Sequence, residues 1–281
     1  MIKLPEIKFP PDNVMAYDTW LRMVCNPNNF SYWYERIKDC GLKMPASVYY
    51  QFTYDDVSKY IGYFYGEDKD MNAKREEFCR KILIPLLDDF FHIKNRKSDE
   101  IFIKNAVFSN KFTFSDCHII DFVPLKDVSK KLENINYTGL LVGAEGFNEV
   151  VLREYINPKL NFGEIYNGMV LRPEFRVFYD FDKHQLLYTV NYWDYQYCKE
   201  HLSAEDKAVF ANAEAQLNKY FKQHVDEVEK LVIEHMPRAW LEGKWSIDIM
   251  MNDENDFYLI DMALAENSAY WNPEYEGKSD E

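Results

Sequence analysis

The chain ends on two β-prone runs joined by a polar turn, and this pair limits what the rest can fold into. Trp245, Ile247, Ile249 and Met251 alternate with Ser246, Asp248 and Met250, the period of a strand. Asn252 to Asp256 holds no apolar residue, and Phe257 to Met262 is a second β-prone run. The pattern predicts a hairpin. With the turn at Asp253 to Asp256, Asn252 faces Phe257 and, counting back, Asp248 faces Asp261. Two carboxylates opposed across strands repel, and burial sharpens the repulsion. A cation between them turns that liability into a site, and oxygen ligands suit Mg²⁺. Glu266 and Asn267 follow within reach of the second strand's exit and offer further oxygens. In the alternative, a register one residue off, both Asp face solvent.

Composition narrows the classes. The 281 residues are 47% hydrophobic and 17% aromatic, enough for a substantial core. The apolar runs are far shorter than the ~20 residues of a membrane span. The first residues, Met-Ile-Lys-Leu-Pro-Glu-Ile-Lys-Phe-Pro-Pro, lack the apolar segment of a signal peptide. The expectation is a soluble, cytoplasmic protein with no membrane partner. A formal net charge of -14 repels nucleic-acid backbones, which argues against nucleic acid as a partner and against a metal nuclease. Cys25, Cys40, Cys79, Cys117 and Cys198 are scattered with no C-x-x-C pair, so buried reduced thiols are expected and no zinc site.

Upstream, Phe30 to Cys40 is an amphipathic helix closed by Gly41, and Met44 to Tyr50 is a strand. Thr53-x-x-Asp56 is a capping box opening a helix to about Tyr65, and Ala73 to Phe91 is a helix kinked or broken before Pro85. Ile101 to Ile103 is a buried strand that delivers Lys104 into the turn Asn105 to Lys111. A lysine at a strand end, a polar turn and a second lysine would cradle a phosphate; an ordinary hairpin with two solvated lysines has the same pattern. Lys126 to Leu132 is a helix, Gly143 to Gly146 a turn, and Glu149 to Ile156 a strand.

Gly168 to Asp180 begins the next strand, in which Arg172, Glu174 and Arg176 share one face opposite Phe175 and Val177. Such a row suits bidentate binding of an anion, and equally a cross-strand salt-bridge ladder. Leu186 to Tyr192 pairs back on it, and Ser203-x-x-Asp206 caps a long helix to about Met236, stopped by Pro237. Its apolar residues Val209, Ala213, Leu217, Tyr220, Phe221, Val225, Val228, Leu231 and Val232 recur at three and four, a core face. Pro273 to Glu281 is an acidic tail.

This order of pieces resembles the ATP-grasp superfamily over about residues 96 to 270: the two lysines, the Val150 to Ile156 strand, Arg176-Val177-Phe178, a long helix, and Asp248 with Leu259-Ile260-Asp261 on a closing hairpin. The resemblance implies an α+β fold with two lobes holding nucleotide between them and a small N-terminal α/β domain, divided as 1–95, 96–170 and 171–281. It implies ATP and Mg²⁺ as cofactors. Lys104 would reach the nucleotide phosphate and adenine edge, Asn105 to Lys111 would close over the phosphates, and Glu154, Tyr155 and Ile156 would bind the adenine edge and ribose. Arg176 and Arg172 would contact the transferred phosphoryl group; Asp248, Asp261 and Asn267 would serve the metal. The implied activity is a ligase that activates a carboxylate, on a small molecule, peptide or protein, as an acyl-phosphate for attack by an amine. The chain departs from the family at Asp261-Met262-Ala263, which has Ala where an Asn is usual, and its phosphate loop has no glycine. Both departures fit a member that binds nucleotide and catalyses poorly. The alternative function is therefore a nucleotide-binding assembly factor for a protein partner, similar to the branch that assembles a translation initiation complex.

Overall fold

A computed structural model describes residues 14–64, 70–120, 124–144, 146–200, 202–253 and 256–275. The predicted turn residues Glu254 and Asn255, the helix end at Tyr65, the first eleven residues read for a signal peptide, and positions 276–281 of the tail lie outside these. Contacts divide the chain into two compact units, 1–31 with 46–110 and 116–154, and 32–45 with 111–115 and 155–281. Among the described residues no helix is long and apolar enough to cross a membrane.

The first unit is an antiparallel sheet of β1 (Ser47–Gln51), β2 (Ile101–Asn105), β3 (His118–Ile119) and β4 (Glu149–Glu154), in the order β1-β4-β2-β3. Every residue of β4 is buried, as a strand between two neighbours and under helices should be. Its helices include α1 (Val14–Val24), the start of α2 (Phe30–Ile37), α3 (Tyr54–Phe64), α4 (Met71–Phe78) and α5 (Ile84–Phe91). The Thr53 capping box forms as predicted: the Asp56 N–H donates to Thr53 Oγ1 at 3.2 Å and the Thr53 N–H to Asp56 Oδ2 at 3.0 Å. Pro85 has the predicted effect. Between α4 and α5 the backbone widens into a π-turn, Cys79–Leu83, in which the Ile84 N–H reaches back to the Cys79 carbonyl. The short α6 (Phe114–Cys117) follows, and α7 (Leu125–Leu141) runs well past the predicted end at Leu132. Asn134, Asn136, Tyr137 and Thr138 are poor helix formers, but Ile135, Asn136 and Gly139 are buried, and packing overrides propensity there.

The second unit carries a small ribbon, β5 (Glu164–Ile165) with β6 (Met169–Val170), and a four-stranded antiparallel sheet. The sheet orders β7 (Glu174–Asp180), β8 (Gln185–Asn191), β9 (Lys244–Asp253) and β10 (Asp256–Leu264) as β10-β9-β7-β8. The predicted strand from Gly168 to Asp180 is in fact two, parted at Leu171-Arg172-Pro173, because Pro173 has no N–H for a ladder. A single turn, α8 (Tyr195–Cys198), precedes α9 (Ala204–His235), whose Ser203 cap accepts from the Asp206 N–H at 3.0 Å. Along α9 the structure buries Phe210, Ala213, Leu217, Val228 and Val232; Phe210 takes the place expected for Val209, which is half-buried. Phe221 of α9 stacks on Phe175 of β7 with ring centroids 5.5 Å apart. The face of β7 that carries Phe175 and Val177 is thus the helix-covered one, and residues at the alternate positions stand on the opposite face. All five cysteines are free; Cys40, Cys79 and Cys117 are buried, Cys198 is half-buried and Cys25 is exposed.

Candidate functional site

On that opposite face a charged row crosses three strands. Arg176 of β7 lies directly across from Asp248 of β9, and Asp248 lies across from Asp261 of β10. The predicted opposition of the two acids is therefore present, though by a different route. Phe257 faces Met251 rather than Asn252, and a second irregularity between Leu259 and Asp261 restores the count. A side chain offsets part of the repulsion expected between the two carboxylates. Arg176 grips Asp248 bidentately, Nε to Oδ1 at 2.8 Å and Nη2 to Oδ2 at 2.7 Å, with both side chains largely buried. Burial works against the Arg176 charge, but Asp248 outweighs it and holds the guanidinium pKa above its ordinary value.

Glu174, Arg172 and Lys111 join this row. Glu174 is two residues before Arg176 on the same face; burial lifts its carboxyl to about 7, against the pull of Lys111, Arg172 and Arg176. Lys111, at the head of a one-turn 3₁₀ helix, is pushed below the usual lysine value by burial, partly offset by Glu174, Asp248 and Asp261. Arg172 is 7% exposed and donates through Nη1 to the Ile156 carbonyl at 2.8 Å, while its buried Nε has no acceptor among the described residues. Three cations and three carboxylates thus share one surface, with one buried guanidinium donor still unpaired. That combination fits a polyphosphate. Among the described residues no group of three His, Cys, Asp or Glu could hold a metal by itself, and a magnesium ion here would draw on Asp248, Asp261 and phosphate oxygens together. Asn267 is exposed in the 3₁₀ turn Ala265–Asn267, and Ala263 faces Ser246, whose hydroxyl meets that of Ser268 at 2.6 Å.

The remaining predicted residues are placed as follows. Tyr155 and Ile156 are buried in the second unit, where the Ile156 carbonyl is taken by Arg172 and the Tyr155 ring lies 5.7 Å from the same guanidinium. In the first unit, Glu154 is 6% exposed and its carboxylate accepts from the backbone of Ala46, Lys97 and Ser98. That carboxylate is committed to holding the chain, so of the expected contacts to adenine and ribose only one made by the backbone of this residue fits. Lys104 is 3% exposed within β2, near the buried carboxyl of Glu149, whose pKa burial raises. Glu149 accepts from the Ser31 N–H at 3.1 Å, the Ser31 hydroxyl and Gln51 Nε2.

The loop after Lys104 explains its own lack of glycine. Asn105 Oδ1 accepts from the Val107 and Phe108 N–H groups at 3.0 and 2.7 Å, and Asn110 takes the left-handed conformation, φ 53°. The close approach that a glycine would allow is supplied from the other side: a Cβ on Gly146 would stand 2.7 Å from Val107 Cγ2 and 3.1 Å from the Val107 nitrogen.

Sequence reasoning missed the aromatic side of the site. Tyr192, just past β8, has its ring centroid 4.4 Å from the Lys111 ammonium and 4.7 Å from the Arg176 guanidinium. Tyr270 follows the hairpin with φ 70°, and its hydroxyl donates to the Tyr192 carbonyl at 3.0 Å. Cys198 also lies in this neighbourhood, its thiol raised by burial with Lys111 acting against the shift. The high tyrosine content was visible, but nothing in the spacing placed these rings beside the cations.

No family model matches the chain, and no curated protein matches it. Among solved structures it is similar to Cdc123 from Schizosaccharomyces pombe, at 14% identity and a TM-score of 0.52 over 85% of this chain and 83% of that one. A C-terminally truncated form of that protein gives 13% identity and a TM-score of 0.53 over 90% and 91%. N5-carboxyaminoimidazole synthetase from Staphylococcus aureus, complexed with ADP, gives a TM-score of 0.39 at 9% identity over 84% of this chain and 44% of that one. Identities this low speak to the fold alone. That fold is α+β and of the ATP-grasp type.

Proposed function

We propose that the charged face of the second sheet binds ATP with magnesium and that the protein is a ligase. A carboxylate oxygen of the acceptor attacks the terminal phosphorus and ADP leaves; an amine then attacks the acyl carbon and inorganic phosphate leaves. Such a reaction asks little covalent chemistry of the protein, which must position the groups and balance charge. Lys111, Arg172 and Arg176 would face the phosphates, and Asp248 with Asp261 would hold the magnesium ion. The observation that carries this reading is the unbroken row Arg176–Asp248–Asp261 with Glu174 on the same face and Lys111 and Arg172 close enough to act on its carboxyl. Its test is the melting temperature with ATP and Mg²⁺ on the native protein and on Asp261→Ala. A ligand at ~100 times its Kd adds about 2.7 kcal/mol to the folded state. The native protein should shift and Asp261→Ala should not, and ADP release should then depend on an added carboxylate. ATP binding with no turnover on any acceptor would remove the ligase step.

One observation favours a second reading, a nucleotide-binding module that docks a protein partner. At the end of α7, Tyr137, Leu141 and Val142 are 50%, 67% and 61% exposed, more apolar surface than one helix end normally shows to water. A stoichiometric partner lost on Leu141→Asp, with small-molecule turnover absent, would select it.

A further inference from the structure

The cations of this face differ in how they are held. Arg176 has a carboxylate partner in Asp248. Lys111 has none: among the described residues no carboxylate lies within ion-pair distance of its ammonium, although Glu174, Asp248 and Asp261 all act on it from further off. Aromatic rings flank the ammonium, the Tyr192 centroid at 4.4 Å and the Trp193 centroid at 6.0 Å. A π face attracts a cation without accepting its hydrogen bonds and without cancelling its charge. A carboxylate in the same place would do both. The ring therefore fixes the position of Lys111 and leaves its three N–H donors for an incoming anion.

The same ring lies 4.7 Å from the Arg176 guanidinium, so it also offsets some of the repulsion between two neighbouring cations. Tyr192 is itself well tied. Its N–H donates to the Glu174 carbonyl at 3.0 Å, and its carbonyl accepts from the Tyr270 hydroxyl at 3.0 Å. Tyr270 is held in turn by the Tyr188 hydroxyl on its carbonyl, 3.0 Å, and by the Tyr197 ring at 4.0 Å. A left-handed backbone on a bulky residue such as Tyr270 persists only where its surroundings impose it, and these three contacts do so.

We propose that Tyr192 is a positioning residue, its ring seating the Lys111 ammonium and the Arg176 guanidinium side by side as a preformed cradle for a polyphosphate. The inference rests on the nucleotide-binding reading above and adds to it the group that arranges the cations. The probe is inorganic tripolyphosphate, which carries the charge of the ligand without its base, with ATP and Mg²⁺ in parallel. Calorimetric affinities are compared for the native protein, Tyr192→Phe, Tyr192→Leu, and a protein with pentafluorophenylalanine in place of Tyr192. Phe keeps the ring and its negative face, so binding should stay within about twofold of native. Leu removes the ring, and fluorination keeps its shape while reversing its charge distribution; both should bind about fivefold to tenfold more weakly. The fluorinated protein guards against a Leu variant that fails to fold, because a purely structural role would leave its affinity unchanged. Native-like affinity in the fluorinated protein, with the native protein binding both ligands, would overturn the role of Tyr192 and leave the nucleotide reading standing. Failure of the native protein to bind either ligand would overturn both.

Discussion

Glu174 is the residue on which the charge of this surface turns. Three cations surround it, yet burial and the nearby Asp248 lift its carboxyl to about 7 rather than letting the cations depress it. The folded protein therefore holds a proton there that the unfolded chain, with an ordinary glutamate near 4.5, has already released. Stability from this group is complete below the unfolded value and falls as pH rises from about 4.5 through about 7, by up to about 3 kcal/mol. Urea unfolding at pH 5.5 and 7.5 should show the native protein losing stability across the interval, and Glu174→Gln should flatten that loss. An equal loss in both proteins would mean Glu174 is not the group responsible. Asp248 makes the opposite case. Asp248→Asn leaves Arg176 largely buried without its anion, and removing one partner of such a pair costs about 3 kcal/mol. The double variant Asp248→Asn/Arg176→Met should recover part of that cost, and a cycle with no coupling would show that the pair is not what holds the row together.

Among the elements, the loop between β2 and Lys111 makes the most testable claim. Its turn is built from asparagines, and the glycine it needs is Gly146, on the far side of the contact. Gly146→Ala places a methyl within 2.7 Å of Val107 Cγ2 and against the Val107 backbone, an overpacking that should cost about 1–3 kcal/mol. Val107→Ala removes the nearer clash, so Gly146→Ala/Val107→Ala should be more stable than Gly146→Ala by itself; equal melting temperatures would show the contact to be slack. This arrangement could not be read from the sequence, because the glycine and the loop it serves are far apart in the chain. What could be read were local rules with a fixed period or offset: the Thr53 and Ser203 caps, the break before Pro85, and the alternation that aligns Glu174 with Arg176. The hairpin shows the limit of counting. Asp248 does face Asp261, but only because one irregularity near the turn is cancelled by another beside Ile260, and no residue type announces either one. Helix α7 failed in the other direction, since burial of Ile135 and Gly139 extends it through residues whose own preferences end it.

For the molecule as a whole, the ordered set of strands, lysines and closing hairpin was enough to indicate the fold, because order survives where spacing and identity do not. The company each charge keeps was less legible. Lys111 stands near Glu174, Asp248 and Asp261 through tertiary folding alone, and Arg176 pairs with one of the two carboxylates expected to serve a metal. That pairing sets how magnesium and ATP should depend on each other. With Arg176 already on Asp248, and no cluster of three ligating side chains among the described residues, two carboxylates are too few to bind magnesium firmly by themselves. Phosphate oxygens would complete the coordination and would also attract Arg176, which would loosen its hold on Asp248. Magnesium alone should therefore leave the melting temperature unchanged at millimolar concentration. ATP alone should raise it somewhat through Lys111, Arg172 and Arg176, and the two together should raise it most, with magnesium tightening ATP by about tenfold or more. Reciprocity requires ATP to tighten magnesium by the same factor, which titrating each ligand in the presence of the other measures independently. Firm binding of magnesium to the protein without nucleotide would mean that Asp248 and Asp261 form a metal site of their own, and that Arg176 yields to the metal before any phosphate is present.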